Sequence, residues 1–325
     1  MLKELKGRGL LIHHWDTDGI CSARLLLEHL SGKDIVNRTP VLGNYYLTED
    51  ELAECVTFDF VIVLDMALPE ENIRRMAKNA RVMIFDHHLG KEIKSVFHHN
   101  PVIKGENPDE YPSASWIVNT FLKNEVDLFT ILGIVGDHEQ KIKKNTIIYP
   151  IIEQFCKENN LSFEELLQMC YLLDSNYKLG DKQAVEQAPH LLLRMTSAAD
   201  ILHNTRLNAN LTTLNEEITR QLNQPVDEIN GTILKKINTS YNIISTITRK
   251  VAWDSGKNTV VINTGFFNDK DQIYMRSTKN AEPMIQRGKD YGFKCGGKKE
   301  VFGAIVPKEK TDSFVEELIE FLTTT

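Results

Sequence analysis

Four short segments in the first half of the chain are rich in aspartate and histidine, and each follows or ends an apolar run. They are residues 13–19 (HHWDTDG), 63–65 (VLD), 84–88 (IFDHH) and 133–138 (GIVGDH). Carboxylates and imidazoles exposed at strand ends desolvate poorly unless a divalent cation neutralises them. Mixed oxygen and imidazole ligands suit Mn²⁺ or Mg²⁺, with Co²⁺ or Zn²⁺ as further options. At least four Asp and two His exceed what one metal uses, which predicts a two-metal site for attack of water on a phosphoester.

Each segment also has a structural explanation when it is taken alone. Asp16 and Asp18 could form a turn and a helix N-cap, Asp65 could cap a helix, and residues 136–138 could be a loop. Residues 86–88 are harder to explain in this way, because a buried acid beside two histidines is rarely a packing choice. The metal site is favoured, since it accounts for all these segments at one sheet edge.

Strands and helices alternate over the first 140 residues, and this alternation must position the four segments. It predicts an α/β domain with a mainly parallel sheet and helices on both faces. Ligands of such sheets gather at the carboxyl ends of the strands. The apolar runs of strand length are residues 10–14, 41–45, 60–64 and 82–85, and helical spacing occurs at 20–30 and 69–80.

The remainder of the chain divides into a helical part and a smaller α/β part. The predicted helices cover residues 113–122, 127–135, 146–158, 162–173 and 188–222, with a break at 223–225. Predicted strands follow at 241–248, 259–263, 272–275 and 301–306, before a closing helix at 312–322. We therefore expect a catalytic domain at 1–187, a helical linker at 188–230 and a smaller α/β domain at 231–325.

Charge and cysteine usage restrict the class of protein. The net charge of the 325 residues is −7, yet residues 231–310 hold 15 Lys and Arg against 7 Asp and Glu, a net charge of +8. Such asymmetry is compatible with a nucleic-acid partner. The five cysteines are scattered and form no CxxC pair, which argues against a disulfide framework or a thiolate zinc site. With no apolar run of membrane-spanning length, we expect a cytoplasmic protein without a membrane partner.

The four segments, in this order, resemble the motifs of the DHH phosphoesterase superfamily. The resemblance implies two bound divalent metal ions, with Mn²⁺ preferred, that share one aspartate. The ligands that it implies for the first ion are His14, Asp16 and Asp65. Those for the second ion are Asp18, Asp65, His87 and Asp137. It also implies that His88 donates to the scissile phosphate and that Asp86 orients a ligand histidine from outside the metal shell.

The last third of the chain resembles the substrate-binding DHHA1 domain of the same superfamily. Arg276-Ser277 is similar to the Arg-Ser end of a strand in that domain, and Gly296-Gly297-Lys298 lies where the family has a glycine-rich loop ending in histidine. Glycines there let backbone N–H groups approach a phosphate. Lys298 replaces the histidine, and lysine binds phosphate as a point charge. The alternative is that Gly296 and Gly297 form only a turn of a β-hairpin.

Further basic and aromatic residues of the second half are candidates for contact with a strand of nucleic acid. The basic candidates are Lys279, Arg287 and Lys299. The aromatic candidates are Phe266, Phe267, Tyr274, Tyr291, Phe293 and Phe302. Aromatic side chains stack on bases, although core packing is their commoner role.

The compact His-x-Asp-x-Asp-Gly form of the first motif is similar to RecJ-type nucleases, in particular to the short archaeal RecJ-like type that includes the Hef-associated nuclease. The resemblance implies a Mn²⁺-dependent exonuclease on single-stranded DNA or RNA, acting between two domains, with 3′→5′ polarity favoured and a role in DNA repair. It also implies a repair helicase/nuclease such as Hef as a protein partner. The alternatives are a small-substrate phosphoesterase, such as an oligoribonuclease or a nucleotide bisphosphate phosphatase, and a non-catalytic replication or repair scaffold. Oligomeric state is left open.

Overall fold

The computed structural model describes residues 2–323, apart from the side chain of Lys298. The chain forms two compact units. The first runs to Tyr177 and includes Asp181–Leu211, and the second consists of Lys178–Gly180 and the chain from Thr212 onward. The domain boundaries expected at 187/188 and 230/231 stay predictions.

The first unit is built on a parallel sheet of five strands in the order β2-β1-β3-β4-β5. The strands are β1 Gly9–His13, β2 Ile35–Arg38, β3 Phe60–Leu64, β4 Arg81–Phe85 and β5 Phe97–His99. Alternate side chains of the central strands enter two different apolar cores, with Val61 and Val63 on one face and Ile62 and Leu64 on the other. Burial on both faces explains why these strands are continuously apolar, and it confirms the predicted α/β class.

Ten helices surround this sheet or follow it. They are α1 Thr17–His29, α2 Glu49–Cys55, α3 Glu70–Met76, α4 Ala114–Leu122, α5 Leu128–His138, α6 Tyr149–Glu158, α7 Phe163–Lys178, α8 Lys182–Leu192, α9 Ala198–Leu202 and α10 Thr205–Leu222. Side-chain caps fix the starts of the helices that matter most for the site: Asp16 accepts from the Gly19 N–H, Ser113 from the Trp116 N–H and Asp127 from the Thr130 N–H.

The second unit contains a sheet of six strands in the order β10-β11-β9-β8-β7-β6. Only β7 and β8 pair in parallel among its described residues. Its elements are β6 Asp227–Ile229, β7 Thr232–Ile237, α11 Ile244–Ser255, β8 Thr259–Asn263, β9 Lys270–Arg276, α12 Glu282–Asp290, β10 Lys294–Lys298, β11 Val301–Pro307 and α13 Lys308–Thr323. One face of the sheet packs in a core with α12 and α13, and the other packs with α11.

Two predicted strands are wrong. Residues 41–45 turn back on themselves, because Gly43 adopts a positive φ of 90° and the Asn44 N–H bonds the Val41 carbonyl at 2.9 Å. The strand of this region is instead Ile35–Arg38. Residues 241–248 contain the start of helix α11, where Ile244 and Ile247 share one buried face. Their β-branched composition favours a strand, but the helical spacing of the apolar residues decides the structure.

Among residues 2–323, none of the helices combines the length and the apolar character needed to cross a lipid bilayer.

Candidate metal centre

The first unit brings the acidic and histidine segments together at the carboxyl edge of its sheet. Strand β1 pairs with β3 so that His13 lies opposite Leu64, and β3 pairs with β4 so that Leu64 lies opposite Phe85. The three strands therefore end level with one another. The next residues of the chain, His14, Asp65 and Asp86, emerge side by side, which is where ligands of parallel sheets bind.

Helix α5 completes this cluster from above the sheet edge. Three overlapping sets of potential ligands result, and within each set the ligand atoms lie within 4.8 Å of one another. The sets are His14, Asp16 and Asp65; Asp18, His87 and Asp137; and Asp65, His87 and His88. All six residues predicted as metal ligands thus lie in one cluster.

Asp65 lies between the two groups of ligands. Its Oδ2 is 3.6 Å from His14 Nδ1, whereas its Oδ1 is 3.3 Å from His87 Nε2. His14 in turn lies 2.8 Å from Asp16, and His87 lies 3.1 Å from Asp137. One carboxylate therefore presents one oxygen to each group, which is the geometry a shared ligand requires.

The backbone of Asp65 has an unusual conformation. Its φ is 57°, in the left-handed region, and its N–H donates to the Phe85 carbonyl at 2.9 Å. Aspartate tolerates this region better than most residues, but the conformation still costs energy. The side chain is only 1% exposed. The chain thus turns sharply after β3 and directs a buried carboxylate over the sheet edge.

Asp18 is held at the N-terminus of helix α4. Its two carboxylate oxygens accept from the N–H groups of Ala114 at 2.6 Å and Ser115 at 2.9 Å. Helix N-termini stabilise negative charge through these free donors. Gly133 of α5 is adjacent, where a Cβ would collide with Asp18 Oδ1 and Ser115 Oγ. The glycine lets α5 approach α1 closely enough to carry Asp137 into the cluster.

His88 and Asp86 form a pair at the edge of the cluster. His88 Nδ1 donates to Asp86 Oδ1 at 2.7 Å, while Asp86 is buried and the His88 side chain is 45% exposed. This hydrogen bond lowers the pKa of Asp86 despite burial, which acts in the opposite direction. The histidine that Asp86 orients is therefore His88, the predicted phosphate donor, whereas we expected it to orient a metal ligand.

The electrostatics of the cluster disfavour ionisation of two of its aspartates. Burial, reinforced by neighbouring carboxylates, raises the pKa of Asp65 well above its usual range and that of Asp18 to about 6. Burial also acts to raise the pKa values of Asp16 and Asp137, but His14 and His87 lower them. Aspartates this close repel one another when all are charged, and a protein relieves that repulsion with protons or with cations.

Several buried polar atoms of the cluster make no well-directed hydrogen bond within the described residues, although some lie at ion-pair distance from one another. They are both ring nitrogens of His14, both carboxylate oxygens of Asp65 and Nε2 of His87. Buried polar atoms without partners are rare in folded proteins. Carboxylate oxygen and imidazole nitrogen are the donors that Mn²⁺, Mg²⁺, Co²⁺ and Zn²⁺ accept. The residues present therefore fit bound divalent cations, which would satisfy these atoms.

Two contacts of the site were missed from the sequence. The N–H and Oγ1 of Thr17 both donate to Asp174 Oδ1, at 3.0 and 2.7 Å, so helix α7 fixes the start of α1. Tyr45, which is 63% exposed, lies with its ring centroid 5.9 Å from that of His14. Neither Asp174 nor Tyr45 belongs to a motif, and each reaches the site through a tertiary contact, so no local pattern indicated them.

The predicted substrate-binding residues lie in the second unit, on neighbouring strands. Arg276 ends β9 opposite Val301 of β11, and Ser277 follows it. Gly296 and Gly297 lie within β10, and the turn of the hairpin falls at residues 299–300 instead of at the glycines. A Cβ on Gly297 would collide with the Val301 carbonyl oxygen, whereas Gly296 faces open space. The side chain of Lys298 lies outside the described residues.

Residues 10–146 match the model of the DHH family, N-terminal domain. No curated protein matches the chain in sequence. In structure, the chain is similar to RecJ from Thermus thermophilus in complex with Mn²⁺, at 17% identity and a TM-score of 0.70, with 97% of this chain and 52% of that chain covered. This chain thus spans about half the length of that RecJ.

Two further solved structures are similar over nearly their whole length. An exonuclease RecJ bound to manganese matches at 17% identity and a TM-score of 0.70, covering 100% of this chain and 93% of that chain. The pGpG-specific phosphodiesterase PggH from Vibrio cholerae matches at 14% identity and a TM-score of 0.51, covering 97% of this chain and 98% of that chain. At these identities the likeness concerns the fold.

Proposed function

This chain carries a DHH-family N-terminal domain within a RecJ-like phosphoesterase fold, and from this premise we propose that it is a Mn²⁺-dependent exonuclease of single-stranded DNA or RNA. The observation that carries the proposal is Asp65, which directs one buried oxygen to each of two ligand groups. A pair of cations bridged in this way is typical of enzymes that hydrolyse phosphoesters. We favour 3′→5′ polarity.

The residues of the first unit have distinct tasks in this proposal. His14, Asp16 and Asp65 would hold one Mn²⁺, and Asp18, Asp65, His87 and Asp137 the other. When bound, the two ions lower the pKa of water and neutralise the charge of the attacked phosphate. Asp86 fixes Nδ1 of His88, so Nε2 is the ring nitrogen left for a phosphate oxygen.

The second unit supplies the binding surface for the rest of the strand. Residues 231–310, which carry a net charge of +8, form most of it. Arg276 and Lys298 are the proposed phosphate contacts, and Gly296 leaves backbone accessible beside them. Cationic side chains on such a surface bind phosphates by charge and make the affinity depend on salt. Action in a cleft between the units, a role in DNA repair, a Hef-like partner and a cytoplasmic location stay predictions.

A small-substrate phosphoesterase is the second candidate function. The similarity to PggH, which covers 98% of that chain, favours it because PggH is described as specific for pGpG. The non-catalytic alternative is less favoured, since every ligand position of the predicted site holds a residue able to bind metal.

One experiment separates these functions. DNA and RNA strands of about 2, 5, 12 and 30 nucleotides, labelled at either end, would be incubated with Mn²⁺, Mg²⁺ or EDTA. These lengths are chosen to run from very short strands to strands longer than one binding site. The exonuclease shortens the long strands from one end with Mn²⁺ and leaves them intact with EDTA. Cleavage confined to the shortest strands supports the small-substrate enzyme, and no cleavage of any strand with any metal contradicts both.

A further inference from the structure

Trp253 is an exposed aromatic side chain of the second unit with no apparent structural task. It lies on helix α11 and is 62% exposed. The guanidinium of Arg249, one helical turn earlier, is 5.4 Å from the centroid of its ring, and that of Arg276, at the end of β9, is 5.7 Å away. Two cations from different elements therefore lie beside one solvent-facing indole.

Two glycines lie on the face of the sheet that carries Arg276. Tyr274 and Arg276 lie on the face of β9 that α11 covers, with Gly303 of β11 opposite Tyr274 and Gly296 of β10 opposite Gly303. A Cβ at Gly303 would contact the Tyr274 ring at 3.3 Å, and a Cβ at Gly296 would meet nothing within 4 Å. Accessible backbone thus lies at Gly296, on the face of the sheet that carries Arg276.

A second arginine–aromatic pair in the same unit differs because both of its side chains bond a glutamate. Arg287 lies over the ring of Tyr291, 4.7 Å from its centroid, but both side chains bond Glu317, at 3.1 and 2.8 Å. That pair is neutralised within the protein. By contrast, Arg276 Nε is buried and has no hydrogen-bond partner among the described residues. No carboxylate of the described residues pairs with Arg276, so its charge beside Trp253 is left for an anion from outside the chain.

We propose that Trp253, Arg249 and Arg276 form a nucleotide-binding subsite, in which the indole stacks on a nucleobase and the arginines bind the flanking phosphates. The inference rests on the proposed function, because it takes the substrate to be a single strand, and it assigns the base contact within it. Stacking accepts any base but requires that the base be unpaired. Gly296, where a Cβ would meet nothing within 4 Å, leaves room for the sugar-phosphate backbone.

The test measures binding without hydrolysis. Fluorescein-labelled dT12 and U12 would be titrated into the full chain in EDTA, and binding followed by anisotropy and by quenching of tryptophan fluorescence. Trp253→Ala is expected to weaken binding roughly 5- to 150-fold, the range for loss of one base stack, and to remove most of the quenching. Trp253→Phe keeps a stacking ring and is expected to bind within about 3-fold of the unmodified chain. Val226→Ala, which removes another exposed apolar side chain of the second unit, is the control and is expected to change nothing.

The outcomes distinguish this inference from the proposed exonuclease. Equal binding by Trp253→Ala and the unmodified chain overturns the subsite, as does equal weakening by Val226→Ala or a failure of the unmodified chain to bind either strand. The exonuclease is judged separately, by cleavage with Mn²⁺. A chain that binds through Trp253 but cleaves nothing keeps the subsite and loses the exonuclease, and a chain that degrades strands with Trp253→Ala unimpaired does the reverse.

Discussion

The two units differ in how far the residues of their candidate sites are buried. In the first, the aspartates at the sheet edge are buried, and their positions are fixed by strand ends, a helix N-terminus and a strained backbone turn. In the second, the arginines and the indole lie on a surface, and the adjoining strands carry glycines. Chemistry on a phosphate needs donors fixed in a desolvated place, whereas holding a strand needs only accessible charge and a ring.

The largest effect is expected for the buried aspartates of the first unit. Asp65→Asn removes the charge shared by the two ligand groups, and asparagine tolerates the positive φ of this position. We expect hydrolysis with Mn²⁺ to fall by at least about 10³-fold, measured as initial rates. In EDTA the variant should unfold at an equal or higher temperature than the unmodified chain, because it replaces a carboxyl group whose ionisation is disfavoured by burial and by the neighbouring carboxylates.

The melting temperature measured with Mn²⁺ provides the control for this variant. A ligand that binds only the folded state raises the melting temperature, so Mn²⁺ should stabilise the unmodified chain more than it stabilises Asp65→Asn. Unimpaired hydrolysis by the variant, or an equal gain in melting temperature, would contradict the position of Asp65 between two metals.

An intermediate effect is expected where helix α5 approaches α1. Gly133→Ala places a methyl group against Asp18 and Ser115, and overpacking of this kind costs about 1–3 kcal/mol. Urea unfolding should show that loss, and the apparent affinity for Mn²⁺ should fall because Asp18 and Asp137 move apart. Gly90→Ala is the matched control, since its new methyl group meets nothing within 4 Å, and it should stay within about 0.5 kcal/mol.

The smallest effect is expected for the arginines of the second unit. Arg276→Ala should reduce the slope of log affinity against log salt by about 1 for dT12, as loss of one phosphate contact does. Arg287→Ala should leave the slope unchanged, because Glu317 already neutralises Arg287. Equal slopes for Arg276→Ala and the unmodified chain would remove Arg276 from the phosphate-binding surface.

The difference between buried and exposed residues also explains which features the sequence could predict. Strand β3 was predicted at residues 60–64, where the structure has it, because burial on both faces leaves an uninterrupted apolar run. The clustering of the metal-site residues was predictable for a related reason, since parallel strands must end at one edge. Strand β2 was missed because Asn37 and Arg38 interrupt its apolar pattern, and the paired strands that select it lie elsewhere in the chain.

The binding surface was much less predictable. Phe302 and Phe293, expected among the candidates for base stacking, are buried in the core of the second unit. Trp253 was not considered, because an exposed aromatic on a helix has no local pattern that separates it from a core residue. Its partner Arg276 lies 23 positions along the chain on a strand, so only the tertiary structure shows that they meet.

The left-handed turn at Asp65 also limits the sequences that can occupy this position. Asparagine and glycine are the other residues that adopt its φ of 57° with little strain. Each is one nucleotide change away from an aspartate codon, and neither supplies the carboxylate. Descendants of this gene that lose the proposed metal site therefore have a short mutational path to a chain that keeps its fold, and loss of the proposed hydrolysis at this position is separable from loss of structure.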